Sequence, residues 1–348
     1  MKVSVVLACA RDDYPIIGME NTHVFQPTLA SLEQQGFHDF EFVVVDALWE
    51  WRKDYFKNKR CSFPVKHLKP KPSIWEKIGA WRVCSMLNTG MIHAQGELIV
   101  RVDDCSSFGP DFLQKFWDWH KQGYFAQALV VYHHGTKPLI YNEETKKLYH
   151  ETFTSPAVKG EAYREIVEKL DKLYKPGEII RDSRWRCVEG KGTVFGNAKD
   201  WYYGYGSASM ESLLKINGYD ENLDQCKSLE EVDAGSRLEM GGYPNLVLDE
   251  TLTAVEHFHG SVSKKAIWYE GKPAKCNYSL YRLNRDKRRF RANSDKLGEE
   301  DLKFVWDETC RSPCSHVGGA DYDYEMFRFW SQNQPIFNLK EEREKVLG

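Results

Sequence analysis

The chain has 348 residues, 42% hydrophobic and 28% charged, with a net charge of −3. This is the profile of a soluble globular protein with enough apolar material for a sizeable core, and it excludes a general polyanion binder. No apolar run approaches the roughly 20 residues of a membrane-spanning helix, Met1-Lys2 leads into an apolar run too short for a secretory leader, and nine scattered cysteines argue for a reducing, cytoplasmic compartment.

In chain order, Val3-Ser4-Val5-Val6-Leu7-Ala8-Cys9 reads as a buried strand. Thr28 to Gln35 reads as a helix stopped by Gly36. Phe40-Glu41-Phe42-Val43-Val44-Val45 is a second strand ending at Asp46. Ser73-Ile74-Trp75-Glu76 has capping-box spacing and predicts a helix after it. Leu98-Ile99-Val100-Arg101-Val102 is a strand ending at Asp103-Asp104. Pro110 then opens a helix with Phe112, Leu113, Phe116 and Trp117 on one face. A strand follows from Phe125 to Tyr132. Further on, helices are predicted over Glu161–Tyr174, Ser209–Ile216 and Glu230–Met240, with a short strand over Asn245–Leu248. Strands alternating with helices imply βαβ units and a mostly parallel sheet, which binds ligands at the carboxyl ends of its strands. Asp46 and Asp103-Asp104 stand at such ends. After about residue 265 the alternation stops and charge rises, so the expected division is 1–265 for the sheet domain and 266–348 for a mainly helical extension.

Several groups of residues are suited to chemistry. Adjacent carboxylates such as Asp103 and Asp104 repel unless cations or hydroxyls satisfy them, and hard divalent cations commonly bridge carboxylates to phosphates; a turn-capping pair is the plainer alternative. Glu230, Glu231 and Asp233 open a helix, where acidic residues complement the dipole. Three carboxylates in four residues exceed that need, and one of them suits a general base. His257 and His259 share a face of an extended segment, as structural residues or as ligand contacts. Aromatics are 14% of the chain; Trp201 to Gly206 combines aromatic faces that stack on sugars with glycines that allow close approach, and core packing is the alternative. Cys276, Cys310, Cys314 and His316 lack a standard zinc spacing. The basic run Arg282–Arg291 reads as a solvated face pairing with Glu299-Glu300-Asp301, ahead of a nucleic-acid contact.

Taken in order, these pieces resemble a family 2 glycosyltransferase with the GT-A fold. The opening strand, Thr28-Leu29-Ala30-Ser31-Leu32, Phe40 to Asp46, Asn88-Thr89-Gly90 with Ala94-Gln95-Gly96-Glu97, Asp103-Asp104-Cys105, Asn217 to Glu221, and Glu230 to Asp233 with Arg237-Leu238 carry the likeness, over roughly residues 1 to 262. The resemblance implies transfer of a hexosyl group from a nucleotide sugar, a UDP-sugar, to an acceptor hydroxyl with inversion. It implies donor contacts at Ala8, Arg11, Asp46, Asp103 and Asp104, and a divalent cation (Mn²⁺ or Mg²⁺) at Asp104, His257 and His259. It also implies Glu231 as base and acceptor contacts at Trp201, Tyr203, Glu230 and Asp233. Three positions depart from the family pattern: Cys105 stands at the third place of Asp-x-Asp, Glu231 stands where Asp is usual, and Ala47-Leu48-Trp49 replaces Asp-Gly-Ser. A nucleotidyltransferase is disfavoured because Ala8 to Asp13 lacks a glycine-rich phosphate loop; a carbohydrate- or nucleotide-sugar-binding protein without activity is the other alternative.

Overall fold

The computed structural model describes residues 1–13, 23–74, 82–133, 140–142, 147–149, 179–181, 184–188, 190–225, 229–257, 277–307 and 324–348. The predicted helix over 161–174 and the Cys276, Cys310, Cys314 and His316 group lie outside them.

The architecture is mixed α/β. One sheet has the order β11-β4-β1-β2-β3, with β1 Val3–Cys9, β2 Phe40–Asp46, β3 Val65–Leu68, β4 Leu98–Asp103 and β11 Ser207–Ser209. β1 runs parallel to β2 and β4, β2 runs parallel to β3, and only β11 is antiparallel. β1 and β2 are mostly apolar because helices cover both faces of the sheet, and every residue of β2, Glu41 and Asp46 included, is buried. Helices Gln26–Glu33, Val83–His93 and Phe112–Lys121 provide the cover. Helix Val83–His93 lies so close to β1 that a Cβ at Gly90 would strike Val6. Phe112, Leu113 and Phe116 are buried as the sequence predicts.

A second sheet has the order β10-β12-β6-β9, with β6 Phe125–His133, β9 Ile179–Arg181, β10 Thr193–Asn197 and β12 Asn245–Glu256; β5, Ser106–Phe108, also pairs with β12. β7, Ile140–Asn142, and β8, Lys147–Tyr149, form a separate hairpin ladder. β12 is three times longer than the strand predicted from its Leu-Val-Leu stretch. A bulge between Leu248 and Thr253 lets it absorb the polar Asp249-Glu250-Thr251 and resume pairing with β6 as far as Glu256.

The C-terminal part is helical, over Asn277–Asp286, Glu299–Asp307, Tyr324–Asn333 and Leu339–Leu347. Its Leu280, Leu302, Phe327 and Leu339 share one buried cluster with Leu87, Met91, Ile216 and Leu238 of the sheet region. Arg343 also donates to the carbonyls of Met91 and Ala94, closing the end of helix Val83–His93. The basic run is held by acids: Lys287 pairs with Asp301, and Arg289 with Asp295 and Asp301. Among the described residues no helix is long and apolar enough to cross a membrane.

The acidic helix Glu230–Met240 is seated by backbone proximity. A Cβ at Gly235 would meet the carbonyl oxygen of Ala198 and the Tyr202 side chain. Gly235→Ala is therefore expected to destabilise the protein by about 1–3 kcal/mol, the usual cost of overpacking, as read by urea denaturation. Wild-type stability in that variant would show that the helix shifts freely.

Candidate active site

The register of the parallel strands gathers the acidic residues. Cys9 stands opposite Asp46, and Ala8 opposite Asp103, so the ends of β1, β2 and β4 lie side by side. Asp46 is fully buried. One of its oxygens accepts from the Leu48 N–H at 2.8 Å, and the other lies 3.1 Å from His67 Nε2 and 3.7 Å from Arg52 Nε. Arg52 also donates to the Arg11 carbonyl, tying the loop after β2 to the loop after β1. His67 and Arg52 were not legible as site residues, since neither the short β3 nor the loop after β2 carries a spacing signal.

The two aspartates after Val102 diverge, as successive residues leaving a strand do. Asp104 is buried and accepts from Arg11 Nε at 2.8 Å. The Asp103 side chain keeps 40% of its surface exposed and lies 3.2 Å from Arg101 Nη2. Burial raises the Asp103 pKa, and so do Glu231, Glu256 and Asp104, against the opposing pull of Arg101. Cys105 has φ 64°, in the left-handed region, and its side chain is buried in the apolar cluster that includes Phe108 and Leu252. That turn carries the chain into β5, and the Cys105 carbonyl accepts from the His257 N–H at 2.8 Å. His257 is thereby held against the acidic turn, with its Nε2 2.7 Å from Ser107 Oγ. His259 lies outside the described residues.

The acidic helix supplies the opposite side. Glu231 Oε1 accepts from Arg101 Nη1 at 2.5 Å. Arg101 precedes Asp103 by two residues on β4, so both side chains leave the same face of the sheet. A lone arginine in an otherwise apolar strand is the sequence signal that went unused. Asp233 turns away into a buried network: Arg237 donates to it at 2.5 Å and to Asp220 at 2.6 Å, and Asn284 reaches both carboxylates. Glu230 is buried with no cation at ion-pair distance among the described residues; burial, then the neighbouring Glu231, push its pKa up to about 8. Tyr203 stands 53% exposed, its N–H donated to Gln127. At the next residue, Gly204, a Cβ would come within 3.6 Å of Asp103 Oδ2. The helix Ala198–Trp201 leads into this stretch.

The structure thus brings together Ala8, Arg11, Asp103, Asp104, His257, Tyr203, Glu230 and Glu231, and places Asp46 and Asp233 in buried networks at the margins. For a cation, Asp104 is engaged by Arg11 and Cys105 is turned into the core. Among the described residues no group of three or more His, Cys, Asp or Glu is gathered that could hold one. The donor set among the described residues does not fit a resident metal ion.

No family model and no curated protein matches the chain. Several solved structures share part of its layout. Residues 1–349 of S. aureus TarS in complex with UDP-GlcNAc align at 13% identity and a TM-score of 0.44, over 88% of this chain and 70% of that one. GalNAc-T7 with UDP, GalNAc and Mn²⁺ aligns at 12% identity and a TM-score of 0.46, over 78% and 45%. This chain spans 37% of a longer S. aureus TarS structure, at 13% identity and a TM-score of 0.40, and 60% of another structure of TarS residues 1–349.

The raised Glu230 pKa has a consequence for stability. The folded state holds this proton more tightly than the unfolded chain, whose carboxyl titrates near 4.5. The stabilising contribution of Glu230 is thus complete at low pH and is lost between about 4.5 and 8. Glu230→Gln should melt progressively above wild type as pH rises from 5 to 8, on the order of a few degrees, read by calorimetry. A difference independent of pH would remove the inference.

Proposed function

We propose that the chain is a nucleotide-sugar-dependent glycosyltransferase of the GT-A type that moves a hexosyl group from a UDP-sugar to an acceptor hydroxyl with inversion. The observation that carries this reading is the convergence of Asp103 at the end of β4 with Glu231 at the start of the acidic helix, one arginine apart. Around that axis stand the groups such a reaction uses. His257 and Arg11 flank the acidic turn and are suited to the diphosphate; Asp103 suits the ribose; Tyr203 offers an aromatic face for a sugar ring. Asp46, held by His67 and Arg52, shapes the base end of the donor site.

In this reading the acceptor hydroxyl gives its proton to Glu231 while its oxygen attacks the anomeric carbon. The bond from that carbon to the diphosphate breaks, and its electron pair leaves with the nucleoside diphosphate. Glu230, whose pKa of about 8 keeps it protonated at neutral pH, donates a hydrogen bond instead of competing for the proton. A divalent cation would enter this scheme as part of the donor, on the diphosphate, and Asp103 is the carboxylate that would meet it besides the ribose.

Two experiments test the reading. Glu231→Gln should lower the transfer rate by about 10²–10⁴-fold, the usual worth of a general base, with the UDP dissociation constant unchanged. Retention of wild-type turnover would move the base elsewhere or end the transferase reading. In calorimetric titrations Mn²⁺ should tighten UDP binding to wild type and to Asp104→Asn, but not to Asp103→Asn. An undiminished manganese effect in Asp103→Asn would show that this carboxylate does not meet the donor.

A further inference from the structure

The function proposed above leaves one buried cation without a part in the chemistry. Arg101 lies on β4, between β1 and the antiparallel β11, on a strand whose residues before Asp103 are otherwise Leu98, Ile99, Val100 and Val102, and only 8% of its side chain is exposed. Burying a guanidinium there is costly unless its charge and its N–H groups are matched. Its two terminal nitrogens are matched by carboxylates from different parts of the chain, Glu231 at 2.5 Å and Asp103 at 3.2 Å. A planar fork fixes direction as well as distance, which a flexible ammonium does not.

The other arginines of the region have different duties. Arg11 is spent on Asp104, Arg52 on the loops beside Asp46, and Arg237 on Asp220 and Asp233. Arg101 joins the residue at the end of β4 to the first turn of the acidic helix. That helix starts from Leu229 in a left-handed conformation, φ 72°.

We propose that Arg101 is a positioning residue: by holding Glu231 and Asp103 on one guanidinium it fixes the distance between the base and the donor site. The proposal rests on the transferase reading. Arg101 touches no reacting atom; it sets where Glu231 stands when the acceptor arrives. Displacing a reacting group by about 1 Å can cost on the order of 10²-fold in rate, and that is the size of effect expected.

The test is a double-mutant cycle on the full chain. Arg101→Met and Arg101→Lys are made alone and with Glu231→Gln, and transfer kinetics, UDP affinity and circular dichroism are recorded for each. Arg101→Met should lower kcat about 10²-fold, with a much smaller loss of UDP affinity through Asp103. Arg101→Lys, which keeps the charge but loses the fork, should recover part of the loss. In the Glu231→Gln background Arg101→Met should cost little further, because the carboxylate it positions is already disabled. Near-wild-type kcat in Arg101→Met, or an equal loss with and without Glu231→Gln, overturns the proposal while leaving the transferase reading intact. If Arg101→Met does not fold, Arg101→Lys decides: a folded protein with wild-type kcat overturns the proposal. A wild-type chain that releases no nucleotide from any nucleotide sugar ends both.

Discussion

The site is governed by charge balance in a buried place. Asp46, Asp103 and Asp104 lie at one end of the sheet, Glu231 and Asp233 on the helix beside it and Asp220 in a turn that faces that helix through Arg237, and most are buried. Unpaired, such carboxylates would cost far more than the fold can supply. Each is answered: Asp104 by Arg11, Asp46 by Arg52 and His67, Asp103 and Glu231 by Arg101, Asp220 and Asp233 by Arg237. Glu230 is the exception, and its pKa rises instead, to about 8. Departures of this kind, in a buried group with no cation at ion-pair distance among the described residues, are where function concentrates.

The same pairings join the parts of the chain. Arg237 reaches from the acidic helix to the Arg289 carbonyl of the C-terminal helices. Asp224 caps the first turn of helix Val83–His93 through the N–H groups of Cys84 and Ser85, and burial followed by the proximity of Glu221 raises its pKa to about 7. Glu221, at the head of the 3₁₀ turn Glu221–Gln225 that carries Asp224, takes Lys71 at 2.8 Å and Asn88 at 2.8 Å. Polar contacts buried this deeply specify one arrangement of the helices because every alternative leaves charges unmatched.

Much of this was legible in the sequence. The Val-rich strands, the helix face of Phe112, Leu113 and Phe116, and the acidic strand end at Asp103 follow from periodicity and turn chemistry. Asn217, at the close of helix Met210–Ile216, takes the left-handed conformation that Asn-Gly foretells. What periodicity could not convey is direction at a strand end. It did not separate Asp103, which stays accessible, from Asp104, which Arg11 engages. Nor did it show that Cys105, at the place of a usual metal ligand, turns into the core. The strand Asn245–Glu256 was cut short because a bulge hides its polar middle. The partners Arg52, His67 and Arg101 are set by tertiary pairing alone, although an arginine inside an apolar strand was an available sign.

The measurement that bears most directly on the whole account is proton NMR of the protein incubated with α-linked UDP-sugars and a panel of hydroxyl acceptors. The account predicts release of UDP together with a new glycosidic bond of β configuration. A product that keeps the α configuration would contradict inversion, and the absence of any UDP release across the panel would contradict the assignment of this acidic strand end as a sugar-transfer site.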